Sequence, residues 1–185
     1  MTADPYSPEP APAESGPWRA PVAPGPLHAT VTVPGSKSLT NRELVLASLA
    51  DAPSRLMAPL HSDDSARMID ALRALGVGIV LEPGTGTYGD DIVVSPVWPL
   101  SGSTVVDCGQ AGTVMRFVAA LGGFANGDVT LTAHESALHR PMGAMITALR
   151  DVGVDIDDGG HWALPFRVRG HGHVRGGEVT IDASA

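Results

Sequence analysis

The sequence predicts an α/β protein built from copies of a βαβαββ unit. Residues 31–47, VTVPGSKSLTNRELVLA, lie over 105–121, VVDCGQAGTVMRFVAAL, so that Gly35 meets Gly109, Arg42 meets Arg116, and an apolar helical run follows in both. Residues 71–80, ALRALGVGIV, fall on 148–157, ALRDVGVDID, with Ala-Leu-Arg, Gly and Val coincident. Short β-like runs alternate with segments of helical apolar spacing along the whole chain. Self-similarity at a period of about 75 residues is the mark of a repeated architecture.

The first unit is expected over residues 27–102 and the second over 103–175. Each opens with a strand (27–33; 103–107), turns through a glycine-containing loop and enters an apolar helix (40–50; 112–122). A short strand (54–58; 128–132) and an amphipathic helix (63–75; 141–152) follow. Two strands close the unit (77–82 and 91–95; 154–157 and 165–169). A third unit is expected to begin at 176–185, because VTIDAS (179–184) repeats TVVDCG (104–109). A complete third unit of about 75 residues would run beyond Ala185, so the chain reads as truncated relative to the architecture it encodes.

Local signals place the helices. Thr40 and Glu43 fit a capping box, with Leu39 and Leu44 as its flanking apolar pair. Ser62 fits the cap of the second helix, and Asp63 and Asp64 suit its positive end. Met68, Ile69, Leu72 and Leu75 share one face of that helix; Met142, Met145, Ile146, Leu149 and Val152 do the same later. These side chains read as core. The run EPGTGTYGDD (82–91) reads as a hairpin turn, since aspartates follow its glycines.

Composition narrows the function. The chain has 185 residues, 17% charged, with a net charge of −8, which argues against a nucleic-acid surface. One cysteine, Cys108, forms no internal disulfide and reads as a small packed thiol. No run of 18 apolar residues and no basic-then-apolar leader is present, so a cytoplasmic protein is expected. Residues 1–26 hold 8 of the 16 prolines and almost no aliphatic side chains, as in a disordered tail. His171 and His173 form a lone His-x-His without a carboxylate or thiol cluster, so no metal site is expected.

The chemistry concentrates at VPGSKSLTNR. Lys37, Ser38, Thr40 and Arg42 gather at a strand-to-helix turn, where unpaired N–H groups and the helix dipole favour anions. Lysine adds a point charge and arginine a planar fork for phosphate or carboxylate. Each charge-assisted hydrogen bond contributes about 1.5–3 kcal/mol, so four such groups suffice for micromolar binding. The spacing is not that of a nucleotide-binding P-loop, which requires G-x-x-x-x-G-K-[ST]. Composition alone leaves open a solvated turn with ordinary surface cations. Two further corners favour a site: CGQAGTVMR (108–116), whose Ala111 and Gly112 leave the backbone open to close approach, and HRP (139–141), with Arg140 before a helix-starting proline. Three such corners in repeated units suggest one cleft for a ligand with two acidic groups, or for two acidic ligands.

The motifs PGSKSLTNR, DCGQAGTVMR, and HRP followed by ALRDVGVDI resemble the N-terminal half of the 5-enolpyruvylshikimate-3-phosphate synthase family, from about residue 27 to the end. That resemblance implies an inside-out α/β barrel of two halves, each of three βαβαββ units, closing on substrates between them. It implies transfer of the enolpyruvyl group of phosphoenolpyruvate to the 5-hydroxyl of shikimate 3-phosphate, releasing phosphate, in the shikimate pathway to chorismate and the aromatic amino acids. Lys37 matches the catalytic lysine that touches both substrates. Ser38 and Arg42 match the shikimate 3-phosphate side, and Gly112 and Arg140 the phosphoenolpyruvate side. Thr113 and Arg116 match the pocket wall. No metal or organic cofactor is implied, and full-length members are typically monomeric. Gln110 and Phe117 depart from the family's frequent Asn and Pro, next to Gly112, where they bear on inhibitor sensitivity.

The related transferases acting on UDP-N-acetylglucosamine carry Gly-Ala-Lys-Asn at the first corner and a reactive loop cysteine, unlike Gly35–Ser38 and Cys108 here. In the family, the Ser-Ser-Gln phosphate loop, the acid/base carboxylates and further cationic ligands lie beyond the matched region. The expectation is a chain without turnover by itself. It would act as a truncated product, a half needing a C-terminal partner chain, or an anion-binding module.

Overall fold

A computed structural model describes residues 20–86 and 88–181. Residues 1–19 of the proline-rich segment and 182–185 of the third unit lie outside the described residues. The chain divides between Thr32 and Val33. Residues 20–32 contain no helix or strand, so the strand expected at 27–33 is not formed. A strand exists only through its ladder, and Leu27, Val31 and Val33, the alternating apolar positions, are exposed at 80%, 75% and 71%. Residues 176–181 likewise form no strand.

From Val33 onward the chain runs α1 (Lys37–Ser48), β1 (Ser54–Leu56), α2 (Asp63–Ala74), β2 (Gly78–Gly86), β3 (Gly89–Ser95), β4 (Leu100–Ser101), β5 (Thr104–Asp107), α3 (Gly112–Gly122), β6 (Ala125–Thr132), α4 (Glu135–Leu138), α5 (Gly143–Asp151), β7 (Asp155–Asp157) and β8 (Phe166–His171). The start of α1 corrects the expected cap. Ser36 caps the helix and its hydroxyl accepts from the Leu39 amide, four residues before the expected cap at Thr40. Thr40 is instead buried within the helix, where its Oγ1 accepts from the Leu60 amide at 3.0 Å. Leu39 is 54% exposed and cannot staple to the buried Leu44. At α2 the cap is Ser62 as expected, closed reciprocally by Ser65. Pro141 does not start a helix. The short α4 precedes it and α5 follows at Gly143.

Two sheets form. In one, β1, β3 and β2 are antiparallel in the order β1-β3-β2, with the β2–β3 hairpin closing near the Gly86–Gly89 pair. In the other, the order is β4-β6-β8-β7, with β5 also paired to β6. β5 and β6 are parallel, so α3 is their crossover. β4 is a two-residue parallel contact absent from the sequence expectation. Corresponding strands take the same order in both sheets: the second strand of the unit, then the last, then the third.

Equivalent arginines tie helix to strand in the same way. The Arg73 guanidinium donates to the Ile79 carbonyl at 2.9 Å, and Arg150 to that of Ile156 at 2.7 Å. Leu44, Met68, Leu72, Met115, Val118, Leu131 and Val168 are fully buried in one continuous core that holds α1, α2 and α3 together. Met142 and Ile146 belong to the core, whereas Met145, Leu149 and Val152 pack at its margin.

Candidate functional site

The site is built on the first two turns of α1 and α3. Lys37 and Asn41 lie one turn apart on α1. The Lys37 Nζ sits 3.1 Å from the Asp64 carboxylate in the first turn of α2. The Asn41 amide nitrogen donates to the Thr113 hydroxyl at 2.7 Å, which joins α1 to α3 across 72 residues. Arg42 donates to the Ser38 carbonyl at 3.0 Å and to the Ser38 hydroxyl, and its guanidinium lies 5.8 Å from the centre of the Phe117 ring. Lysine and arginine donors are thereby held at the N-terminus of α1, where the dipole adds positive potential.

The second half gathers at Gly112, the first residue of α3. Arg116 donates to the Gly112 carbonyl at 3.1 Å, and Arg140 donates to the Gln110 carbonyl at 2.8 Å. A β-carbon on Gly112 would lie 3.0 Å from Nη1 of Arg116 and 3.5 Å from Nη1 of Arg140, so the two guanidinium groups converge over this glycine. Arg140 arrives there from the turn between α4 and α5, with its amide bonded to the Ala137 carbonyl. The expected helix N-terminus at HRP is therefore absent, and Arg140 reaches the corner through its side chain alone. A guanidinium has five N–H donors, and the bonds named occupy one nitrogen of each arginine. Among the described residues the remaining donors have no hydrogen-bond partner, so they can bind a planar or tetrahedral anion.

The structure thus brings together Lys37, Ser38, Arg42, Thr113, Gly112, Arg116 and Arg140. Sequence reasoning missed Asn41 and Asp64, which orient this set. The one available signal was the four-residue spacing from Lys37 to Asn41 on a single helix face. A cleft of about 460 Å³ adjoins the corner, bounded by Asp64, Arg67, Gly109, Gln110 and His134 among others. Arg67, on its wall, pairs with Asp107 at 2.6 Å, and Asp107 also accepts from the Gly109 amide at 2.9 Å. Cys108, next in the chain, is fully buried. Its burial, reinforced by the Asp107 carboxylate and opposed by Arg67, pushes the thiol up to about 12, so it stays protonated and unreactive. Among the described residues no three His, Cys, Asp or Glu side chains gather as a metal site, and no helix is long and apolar enough to cross a membrane.

The fold is an α/β one with a cationic corner at the starts of α1 and α3. The fold superposes on EPSP synthase from Acinetobacter baumannii with a TM-score of 0.67 at 25% identity, over 76% of this chain and 32% of that one. It also superposes on an enolpyruvyl transferase from Streptomyces tendae with a TM-score of 0.50 at 21% identity, over 76% and 31%. The sequence profile of EPSP synthase (3-phosphoshikimate 1-carboxyvinyltransferase) matches residues 21–185, and the chain belongs to this family. It is 50% identical over 171 residues to the 3-phosphoshikimate 1-carboxyvinyltransferase of Kocuria rhizophila, and 47% identical over 173 residues to that of Mycobacterium ulcerans. These matches cover 90% and 91% of this chain, and the chain spans 38% of the length of each relative.

Proposed function

We propose that this chain supplies one wall of a site for enolpyruvyl transfer from phosphoenolpyruvate to shikimate 3-phosphate. The observation that carries the reading is the convergence of Lys37, Arg42, Arg116 and Arg140 on adjoining helix N-termini, in a chain of the EPSP synthase family. Both substrates are anions. Cations fixed before binding align them and offset charge that develops during reaction. Lys37 lies between both ligands. Ser38 and Arg42 hold shikimate 3-phosphate. Gly112 admits phosphoenolpyruvate to the α3 backbone, Arg140 grips it, and Thr113 and Arg116 form the wall. The shikimate 5-hydroxyl oxygen bonds to C2 of phosphoenolpyruvate as C3 takes a proton. The hydroxyl gives up its proton in this addition; C3 then loses a proton as the C2–O bond to phosphate breaks in the tetrahedral intermediate, which releases phosphate and restores the C2–C3 double bond.

The domain reading extends this proposal. By their sequence repeats, residues 27–102 and 103–175 correspond to two βαβαββ units of an inside-out α/β barrel, the first without its opening strand here, and the sequence of 176–185 corresponds to the opening of a third. The two sheets, with corresponding strands in one order, support it. The matched span of 38% of the relatives' length supports a chain that binds without turning over until a complementary C-terminal half closes the cleft.

Titration of the 185-residue chain with shikimate 3-phosphate tests the site. Binding that disappears in Lys37→Ala and Arg42→Ala supports it, and binding indifferent to both changes refutes it. Phosphate release from the two substrates at an ordinary enzymatic rate would refute the need for a second half.

A further inference from the structure

Asn41 is fully buried between the two halves of the cationic corner, and its amide oxygen has no hydrogen-bond partner among the described residues. Its nitrogen reaches both neighbouring helices: the Thr113 hydroxyl at 2.7 Å and, at the limit of bonding, the Asp64 carbonyl at 3.5 Å. A buried acceptor left unsatisfied destabilises the fold. An apolar side chain would fill the position without that cost, so core packing does not explain an asparagine here.

The two helices it joins differ in how firmly they begin. The start of α1 is fixed by the Ser36 cap, by the bond from the Leu60 amide to Thr40, and by Leu44 and Ala47 in the core. The start of α3 has Ala111 at its cap position and no side-chain cap bond. The Asn41–Thr113 bond is therefore the polar tie from the α1 face to the uncapped first turn of α3. Lys37 lies one turn before Asn41, Gly112 is next to Thr113, and the Arg42–Phe117 contact continues the same seam one turn further. We infer that Asn41 is a positioning residue that holds the Gly112 end of α3 in register with the Lys37 end of α1, so that both anion corners face one ligand pair. The ligand assignment rests on the function proposed above. The tie between helices does not.

The test is the double variant Asn41→Leu/Thr113→Val in the 185-residue chain. Replacing both partners with apolar groups of similar shape leaves stability nearly unchanged. Backbone amide shifts are followed during separate titrations with phosphoenolpyruvate and shikimate 3-phosphate. Phosphoenolpyruvate affinity at the Gly112–Arg140 corner is expected to fall about tenfold or more, with shikimate 3-phosphate affinity held within about threefold. Asn41→Ser, too short to reach Thr113, should repeat the selective loss should the double variant not fold. Unchanged phosphoenolpyruvate affinity overturns the inference, and so does an equal loss for both ligands. Should the parent chain bind neither ligand, the functional reading fails and amide exchange decides the rest. Exchange about tenfold faster at Gly112–Met115 in the double variant, with Leu131 and Val168 unchanged, upholds the positioning role. Equal exchange rates overturn it.

Discussion

Replacing Gly112 by alanine should raise stability and lower ligand affinity at once. The position is the first residue of α3 and its φ lies outside the left-handed region, so alanine fits the backbone. Alanine in place of helical glycine gains about 0.5–1 kcal/mol, and at a helix start the lower end applies. For a chain of this size that raises Tm by about 1–2 °C. The new methyl meets the Arg116 guanidinium at 3.0 Å and that of Arg140 at 3.5 Å. Both are far ends of flexible side chains and yield cheaply, but they yield away from the space that they converge on. Loss of one charge-assisted hydrogen bond to phosphoenolpyruvate costs about 1.5–3 kcal/mol, or about 10- to 100-fold in Kd. Gly122→Ala, at the other end of α3, is the control. Its methyl would stand 3.1 Å from Cβ and 3.2 Å from Cγ1 of the fully buried Val168. Overpacking there costs about 1–3 kcal/mol and touches no ligand group. Thermal unfolding and calorimetric titration read both effects. A Tm for Gly112→Ala as low as that of Gly122→Ala, or unaltered phosphoenolpyruvate affinity, would refute the geometry.

Leu72→Ala, at a fully buried position on α2, should lose about 2–5 kcal/mol in denaturant unfolding; a loss under 1 kcal/mol would show that α2 is not packed as described. Burial of Asp158 opposes its ionisation, but the hydrogen bonds from Arg150 and from the Trp162 and Gly160 amides prevail, so its carboxyl lies below the ordinary 3.8. A depressed carboxylate stabilises above its unfolded pKa and loses that contribution as pH falls through the folded one. Asp158→Asn should therefore cost about 2 kcal/mol at pH 7 and flatten the acid limb below about pH 4; a variant matching the parent at pH 7 would contradict the assignment. Cys108, raised to about 12, should resist a thiol reagent at pH 8 in the native chain and react only on unfolding; labelling within seconds in native buffer would show the loop to be open.

Where structure depends on neighbours in sequence, the chain was readable. α3 occupies 112–122 as expected and α2 ends one residue early, because Ser62, the two aspartates after it and the apolar spacing all act within a turn or two. Where structure depends on distant partners, the same reasoning failed. Alternation at 27–33 is a valid strand pattern, but no pattern supplies the adjoining edge. Thr40 looks like a cap, yet its hydroxyl serves an amide twenty residues away. Pro141 looks like a helix start, but α4 had already turned the chain. The cations of the site were visible as residue types at a turn. Their alignment by Asn41 and Asp64 was not, since those contacts join elements far apart in the chain.

The sheet order β1-β3-β2 leaves β1 as an outer strand, only three residues long, with Arg55 at its centre. The Arg55 guanidinium bonds the buried Asp91 at 3.0 Å and also Glu82, which holds the charge in place across the sheet. Outer strands invite sticking between copies, because their unmatched backbone groups template another chain. A three-residue strand whose central side chain is held in an ion-pair cluster is a poor template. The ion pairs that fasten β1 to β3 and β2 thus have a second consequence, colloidal rather than conformational: they keep this side of the protein from seeding aggregates at high concentration.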